Sequence, residues 1–109
     1  MNYKFVFDSD FKKSFKRLLK KYPSLKSDFE KITNNISKEL LLADDLGNGF
    51  KKIRINIKSK GKGSSGGGRI ITYEIIVTSN NTDIIFVIIY DKGEYSTVDI
   101  NVLKKNLNL

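Results

Sequence analysis

Residues 47–73 constrain the fold more than any other part of this chain. They read GNGFKKIRINIKSKGKGSSGGGRIITY, with no Asp or Glu, and their cationic side chains are Lys51, Lys52, Arg54, Lys58, Lys60, Lys62 and Arg69. Two β-patterned runs flank a glycine–serine loop that is too rich in glycine to form a strand or a helix. The stretch therefore predicts a cationic sheet surface beneath a mobile basic loop, which suits an anionic polymer.

The first of the two runs has isoleucine at every second position. Ile53, Ile55 and Ile57 point to one face, and the other face receives Lys52, Arg54, Asn56 and Lys58. The isoleucines are expected to pack against helices. The opposite face is then left open and positively charged.

The rest of the chain predicts a single α+β domain over residues 1–109. A strand over residues 3–7 precedes a helical hairpin, whose two helices are separated by Tyr22-Pro23-Ser24. Residues 40–46 form a connection in which Leu42 and Leu46 are partly buried. Two apolar strands over residues 69–78 and 83–91 occupy the sheet centre. Ser96 and Asp99 resemble a capping box opening a short C-terminal helix.

Composition narrows the possible functions. The chain has 109 residues, a formal net charge of +8, and neither cysteine nor histidine. The absence of cysteine excludes thiolate chemistry. The absence of histidine removes the commonest general base and the commonest zinc ligand, so no metal or cofactor is expected. The N-terminus lacks the apolar core of a signal peptide, and residues 84–90 are too few to cross a bilayer. A cytoplasmic protein is the simplest interpretation.

Four segments in this order resemble the RelE/ParE superfamily of bacterial toxins, with the RelE and HigB branches most similar. They are KKYPSL at 20–25, LGNGFKKIR at 46–54, SKGKGSSGGGRIITY at 59–73 and IIYDKGE at 88–94. The resemblance covers nearly the whole chain. It implies a RelE-like fold, a small antiparallel sheet with an N-terminal helical hairpin on one face and a short C-terminal helix, in the order β-α-α-β-β-β-α that periodicity also predicts.

The resemblance also implies an activity and partners. Toxins similar to these are metal-independent, ribosome-dependent mRNA endonucleases (mRNA interferases) of type II toxin–antitoxin systems. They cleave mRNA in the ribosomal A site, inhibit translation, and are silenced by a cognate antitoxin protein. Such an antitoxin is expected to be acidic or to carry an amphipathic segment that covers the basic face or displaces the last helix.

Carried over by position, the resemblance names catalytic candidates. Arg69 resembles the arginine that contacts the scissile phosphate, Lys52 and Arg54 resemble basic positions of the preceding strand, and Lys92 follows the last strand. Arginines suit charge stabilisation, Lys52 or Lys58 is the candidate base, and Lys92 is the candidate acid or phosphate clamp. The remaining RNA-binding candidates are Lys60, Lys62, Tyr90 and Tyr95, the tyrosines by stacking on a base.

Two other functions fit the same residues. A ParE-like chain inhibits DNA gyrase without catalysis, although the basic loop argues against it. Gly93 and Glu94 stand where the RelE-like pattern continues with a second basic residue. Because of that departure, a catalytically weakened RNA-binding homologue is the third possible function.

Overall fold

The computed structural model describes residues 1–95 and 98–109, without the side chains of residues 64 and 65. The chain is α+β, as predicted. Its elements in order are β1 (Asn2–Phe7), α1 (Ser9–Lys21), α2 (Leu25–Asn34), α3 (Ile36–Leu42), β2 (Asp44–Gly47), β3 (Phe50–Ile55), a 3-10 turn (Lys58–Lys60), α4 (Gly63–Gly66), β4 (Gly68–Thr78), β5 (Asn81–Asp91) and α5 (Ile100–Asn106).

One five-stranded sheet runs through the molecule in the spatial order β1-β5-β4-β3-β2. Strands β3, β4 and β5 form the predicted antiparallel meander, and β4 lies at its centre. The first strand is different, because β1 pairs in parallel with β5 over Asn2–Phe7. The sheet is larger than the predicted four-stranded one, since β2 was expected to be an irregular connection.

A tight turn accounts for the additional strand. Strand β2 pairs antiparallel with β3, and Asn48 and Gly49 connect them with φ values of 55° and 87°. Positive φ at both central residues defines the turn that matches the twist of a two-residue hairpin, and Asn-Gly is its preferred sequence. The dipeptide therefore folds the chain back on itself just before the basic strand.

The helical region differs from the prediction in one respect. Pro23 follows the first helix as expected, and the Asp8 side chain accepts a hydrogen bond from the Asp10 N–H at 3.2 Å at its start. The second predicted helix is divided at Asn35, where φ is −122° and ψ is 32°. Its apolar stripe continues across the break, since Ile32 and Ile36 are both buried.

The first hydrophobic core lies between the helices and the sheet. Ile53, Ile55 and Ile57 are buried there, which confirms the predicted inward direction of the isoleucines. Phe29 of α2 contacts Phe11 and Phe15 of α1 at ring distances of 5.5 Å, so the two helices fold back on each other above the strands.

The second hydrophobic core corrects the expected open face. Leu103 of α5 packs on the opposite side of the sheet in a cluster with Phe50, Ile71, Val87 and Tyr90. The Asp99 side chain caps this helix by accepting a hydrogen bond from the Asn101 N–H at 2.9 Å, whereas Ser96 lies outside the described residues. The basic face is therefore largely covered, and Arg54 is an exposed cation on it.

The end of α3 corrects a smaller expectation. Leu42 is 69% exposed, not partly buried, because it lies two positions after the inward-facing Leu40 and so points to the other side of the helix. Leu46 is half-buried against the second core, as predicted. In the described part of the chain, no helix has both the length and the apolar character needed to span a membrane.

Candidate nucleic-acid interface

Three predicted site residues form a row across adjacent strands at the end of the sheet next to the glycine–serine loop. Arg54 of β3 lies directly opposite Arg69 of β4, and Arg69 lies directly opposite Tyr90 of β5. Directly opposed residues of antiparallel strands project to the same face, about 5 Å apart at their Cβ atoms. We call Arg54, Arg69 and Tyr90 the arginine row.

The two arginines of the row have different environments. Arg54 is exposed, whereas Arg69 is only 7% exposed and its Nη1 donates a hydrogen bond to the Gly68 carbonyl at 2.9 Å. Two like charges side by side repel each other, and burying one of them adds a desolvation cost.

Tyr90 carries an unusual polar group at the end of the row. The side chain is 1% exposed, and its hydroxyl has no hydrogen-bond partner within the described residues. Burial raises the pKa of the Tyr90 hydroxyl, and the positive charge of Arg69 partly opposes this effect. The expectation of an exposed stacking ring is therefore wrong for Tyr90. Its neighbour Tyr95 is 53% exposed and meets it edge to face at 6.1 Å.

A cleft of about 500 Å³ opens beside Tyr90 and Tyr95. It exists because β1 stops opposite Phe86, so the rest of β5 has α1 beside it instead of a strand. The Ile89 N–H donates to Ser14 Oγ at 3.3 Å across this junction. Helix α1 contributes charged side chains to the cleft: Asp10, Lys13 and Arg17.

Lys60 does not have the role expected from the sequence. Its Nζ donates to Asp91 Oδ1 at 2.5 Å and to the Gly67 carbonyl at 3.2 Å, and only 12% of the side chain is exposed. The expectation of an available phosphate-binding Lys60 is wrong, because its charge is already matched by a buried carboxylate. This ion pair holds the basic loop against the end of β5.

Asp91 is the centre of a buried polar cluster that sequence reasoning missed. Its other oxygen, Oδ2, accepts a hydrogen bond from the Tyr22 hydroxyl at 2.6 Å, and Oδ1 also accepts one from the Gly93 N–H at 2.8 Å. Burial raises the pKa of the Asp91 carboxyl, but hydrogen bonds from Lys60, Tyr22 and Gly93 outweigh it and lower the pKa to about 2. The same hydrogen bond to Asp91 is the main cause that raises the pKa of Tyr22.

The basic loop is tied to the helices at its base. Asp28 Oδ2 accepts hydrogen bonds from the Lys58 N–H at 3.0 Å and from Ser24 Oγ at 2.6 Å, and Ser24 Oγ in turn accepts one from the Ser59 N–H at 2.8 Å. Asp28 is 4% exposed. Lys58 thus lies in a turn after β3, outside the arginine row, with its side chain exposed.

Two glycines at the end of the loop are required by close packing. A Cβ at Gly67 would lie 2.3 Å from the Ile55 carbonyl oxygen, and a Cβ at Gly68 would lie 3.0 Å from the Tyr90 carbonyl oxygen. Contacts this short leave no room for a side chain at Gly67. The loop also includes α4, so the expectation that this segment contains no helix is wrong. Lys62, just before α4, is exposed.

One acidic residue from another strand approaches the supposedly acid-free surface. Glu74 does not, because its partner Lys51, at 3.0 Å, alternates with Lys52 and so lies on the helix-facing side of β3 with Ile53. Asp44 lies directly opposite the half-buried Lys52, because the unforeseen β2 pairs with β3. Lys52 projects to the same face as Arg54 but one row nearer to α5. The cationic surface is therefore smaller than the sequence predicts.

The segment after β5 completes the site. The Lys92 N–H donates to the Gly67 carbonyl at 3.1 Å, and the Lys92 side chain is exposed. Glu94 pairs with Arg17 of α1 at 3.1 Å. This pair fixes one end of the cleft and neutralises the acidic residue that departs from the expected pattern.

In the 1–95 and 98–109 ranges, no group of three or more acidic, histidine or cysteine side chains is positioned to hold a metal ion. No protein-family model matches the chain, and no curated protein matches its sequence.

Proposed function

We propose that this chain is the toxin of a type II toxin–antitoxin system, a RelE-like, ribosome-dependent mRNA endonuclease silenced by a cognate antitoxin. The α+β fold supports this proposal, since helices pack on one face of a meander and a short C-terminal helix packs on the other. The added strand β2 and the divided second helix are variations on that arrangement.

The arginine row is the observation that carries the proposal. Metal-free RNA cleavage uses the ribose 2′-hydroxyl to attack the adjacent phosphate, and negative charge then develops on the phosphoryl oxygens. Two guanidinium groups on neighbouring strands stabilise that charge with hydrogen bonds of fixed geometry. Arg54 offers an exposed contact, and Arg69 supplies a charge whose position is set by burial.

The surrounding residues take supporting roles. Lys52 faces the same side of the sheet as the arginine row and is our candidate for the base that accepts the 2′-hydroxyl proton. Lys92 is the candidate acid or phosphate clamp, and Tyr95 is the exposed ring for stacking on a base. Lys58 and Lys62 contribute attraction to the phosphate backbone, which weakens as salt concentration rises.

The test is mRNA cleavage on bacterial ribosomes with purified protein. Arg54→Ala is expected to reduce the cleavage rate on the order of a hundredfold, as for other transition-state donors. Arg69→Lys keeps the buried charge but loses the planar fork, so we expect a similar loss with little change in stability. Lys38→Ala is the matched control, because it removes one exposed positive charge from α3. Unchanged cleavage in both arginine variants would contradict the proposal.

A non-cleaving RNA-binding homologue is the second candidate, because Gly93 and Glu94 stand where the RelE-like pattern continues with a second basic residue. Such a protein binds RNA with a salt-dependent affinity and yields no cleaved product. A ParE-like inhibitor would instead block DNA supercoiling by purified gyrase. Measuring cleavage, RNA affinity and supercoiling with one preparation separates the three functions.

A further inference from the structure

The buried polar cluster around Asp91 takes no part in the reaction described above, yet it lies directly beside the arginine row. In the pairing of β4 with β5, Asp91 is opposite Gly68, and the next pair along the strands is Arg69 with Tyr90. Asp91 is only 2% exposed, so its carboxylate serves groups within the fold rather than a ligand. The contacts that neutralise it determine which parts of the site it holds in place.

The Gly67 carbonyl connects this cluster to the segment that carries Lys92. It accepts a hydrogen bond from Lys60 Nζ at 3.2 Å and another from the Lys92 N–H at 3.1 Å. Lys60 Nζ also pairs with Asp91 Oδ1 at 2.5 Å. One largely buried ammonium group therefore fixes the residue before β4 and, through the shared carbonyl, the residue after β5.

The next peptide along the chain holds the arginine. Arg69 Nη1 donates to the Gly68 carbonyl at 2.9 Å, and Gly68 directly follows the carbonyl that Lys60 holds. The backbone is closely packed at this point, since an added Cβ at Gly67 would lie 2.3 Å from the Ile55 carbonyl oxygen. Close-packed groups transmit a displacement to their neighbours, so the position of this peptide affects the guanidinium group of Arg69.

Tyr22 anchors the cluster to the helical region. Its N–H donates to the Leu18 carbonyl at the end of α1, and its hydroxyl donates to Asp91 Oδ2 at 2.6 Å. Lys21 Nζ lies 3.9 Å from the same oxygen, but the Lys21 side chain is exposed, so this pair contributes little. Tyr22 thus fixes one oxygen of the carboxylate, and Lys60 fixes the other.

We propose that Lys60 and Tyr22 are positioning residues for RNA cleavage, an inference that rests on the proposed function. Through the contacts above, they keep Arg69 and Lys92 in a fixed relation to the scissile phosphate. Neither positioning residue binds RNA, because Tyr22 is 8% exposed and the Lys60 ammonium group is held by Asp91. A displacement of about 1 Å in a reacting group can slow a reaction about a hundredfold, so such contacts control rate rather than affinity.

Single-turnover cleavage of mRNA on ribosomes tests the effect on rate. The double variant Lys60→Met, Asp91→Asn removes the ion pair without leaving an unmatched buried charge. Its rate constant at saturating protein is expected to fall about tenfold or more, and that of Tyr22→Phe about threefold. The half-saturating protein concentration should stay within about twofold of the wild type. Lys38→Met, at an exposed position of α3, is the matched control and should cleave as the wild type does.

The split between rate constant and half-saturating concentration distinguishes positioning from a loss of folded protein. A partly unfolded variant needs more protein to saturate the ribosomes but reaches the same maximal rate constant, whereas mispositioned groups lower that maximum. Unchanged maximal rate constants in the double variant and in Tyr22→Phe would overturn the proposal. A change confined to the half-saturating concentration would overturn it as well.

Hydrogen exchange of the Lys92 amide gives a readout that needs no activity. Without the Lys60 ammonium group, the double variant should exchange this amide about fivefold faster or more, relative to the Glu74 amide at the far end of β4, which donates to the Gly49 carbonyl at 3.0 Å. An unchanged ratio would overturn the inference even if the wild-type chain cleaves RNA. A wild-type chain that does not cleave RNA would instead contradict the proposed function, and the exchange ratio would still decide whether the cluster holds Lys92 in place.

Discussion

The two ends of β4 contrast in a way that ordinary sequence patterning does not explain. At its start the strand buries a charged residue, Arg69, and at its end it exposes Ile75, Ile76 and Val77. Both arrangements are unfavourable for an isolated domain, because charge is costly to bury and apolar edges promote association. The start lies beside the buried polar cluster around Asp91, whereas at the end Thr78 Oγ1 accepts hydrogen bonds from the Asn80 N–H and the Asn81 side chain within an exposed turn. The first end thus holds a buried charge, and the second end exposes apolar side chains.

The largest expected effect tests how much the polar cluster at the Arg69 end of β4 contributes to the free energy of unfolding. Asp91→Asn removes the charge that pairs with Lys60 and leaves a buried ammonium group unmatched. Breaking one partner of a buried pair costs about 3 to 5 kcal/mol in the free energy of unfolding, measured by urea denaturation. Adding Lys60→Met should recover part of the loss. A decrease below about 1 kcal/mol in the single variant would show that the network contributes little.

The next effect is the pH dependence that the same carboxylate creates. The pKa of Asp91 is about 2 in the folded chain, below the ordinary value of 3.8 for an aspartate, so the ionised form favours folding. Its contribution of about 2 kcal/mol is complete above roughly pH 4 and disappears as the pH falls through 2. Urea denaturation between these pH values should show the slope in the wild type. Asp91→Asn should remove this component, and an unchanged slope would assign it to other carboxylates.

A smaller effect separates stability from activity at the arginine row. Tyr90→Phe removes a buried hydroxyl that lacks a partner among the described residues, so the free energy of unfolding should rise by about 1 kcal/mol. Cleavage should stay at the wild-type rate, because the buried hydroxyl has no role in the proposed reaction. Tyr73→Phe, in a half-buried ring of β4, serves as the control. A Tyr90→Phe variant that is both less stable and fully active would show that the hydroxyl has a structural role.

The smallest effect is expected at the other end of the strand. Ile76→Thr keeps a β-branched side chain at an exposed position, so the stability of the monomer should change by less than about 0.5 kcal/mol. Thermal unfolding at low protein concentration measures this change. A loss above 1 kcal/mol would show that the exposed end also supports the folded monomer, and the contrast between the two ends would then be weaker.

Short-range sequence patterns predicted the structural features that depend only on neighbouring residues. Alternation at Ile53, Ile55 and Ile57 correctly assigned the inner face of β3. The Asn48-Gly49 dipeptide is an equally local signal for a hairpin turn. The basic composition of the surrounding stretch obscures this signal, so β2 is not predicted. The break at Asn35 could not be predicted, because the apolar stripe passes through it without interruption.

Whether an individual cationic side chain is neutralised depends on residues that are distant in the sequence. Lys60 is matched by Asp91, which lies 31 residues away, and Tyr22 reaches the same carboxylate from 69 residues away. The pairing of Arg54 with Arg69 depends on how many residues the loop between them absorbs. Charge composition identified the right segment of the chain. It could not distinguish cations available to a ligand from those already neutralised within the fold.

The parallel pairing of β1 with β5 has a consequence for how the chain is made. Asn2 pairs with Asn81 and Phe7 with Phe86, so β1 has no strand partner until β5 has been translated. Contacts between residues this far apart in sequence form slowly. Strand β1 consequently has no strand partner during elongation, and the sheet is completed only after β5 has left the ribosomal exit tunnel.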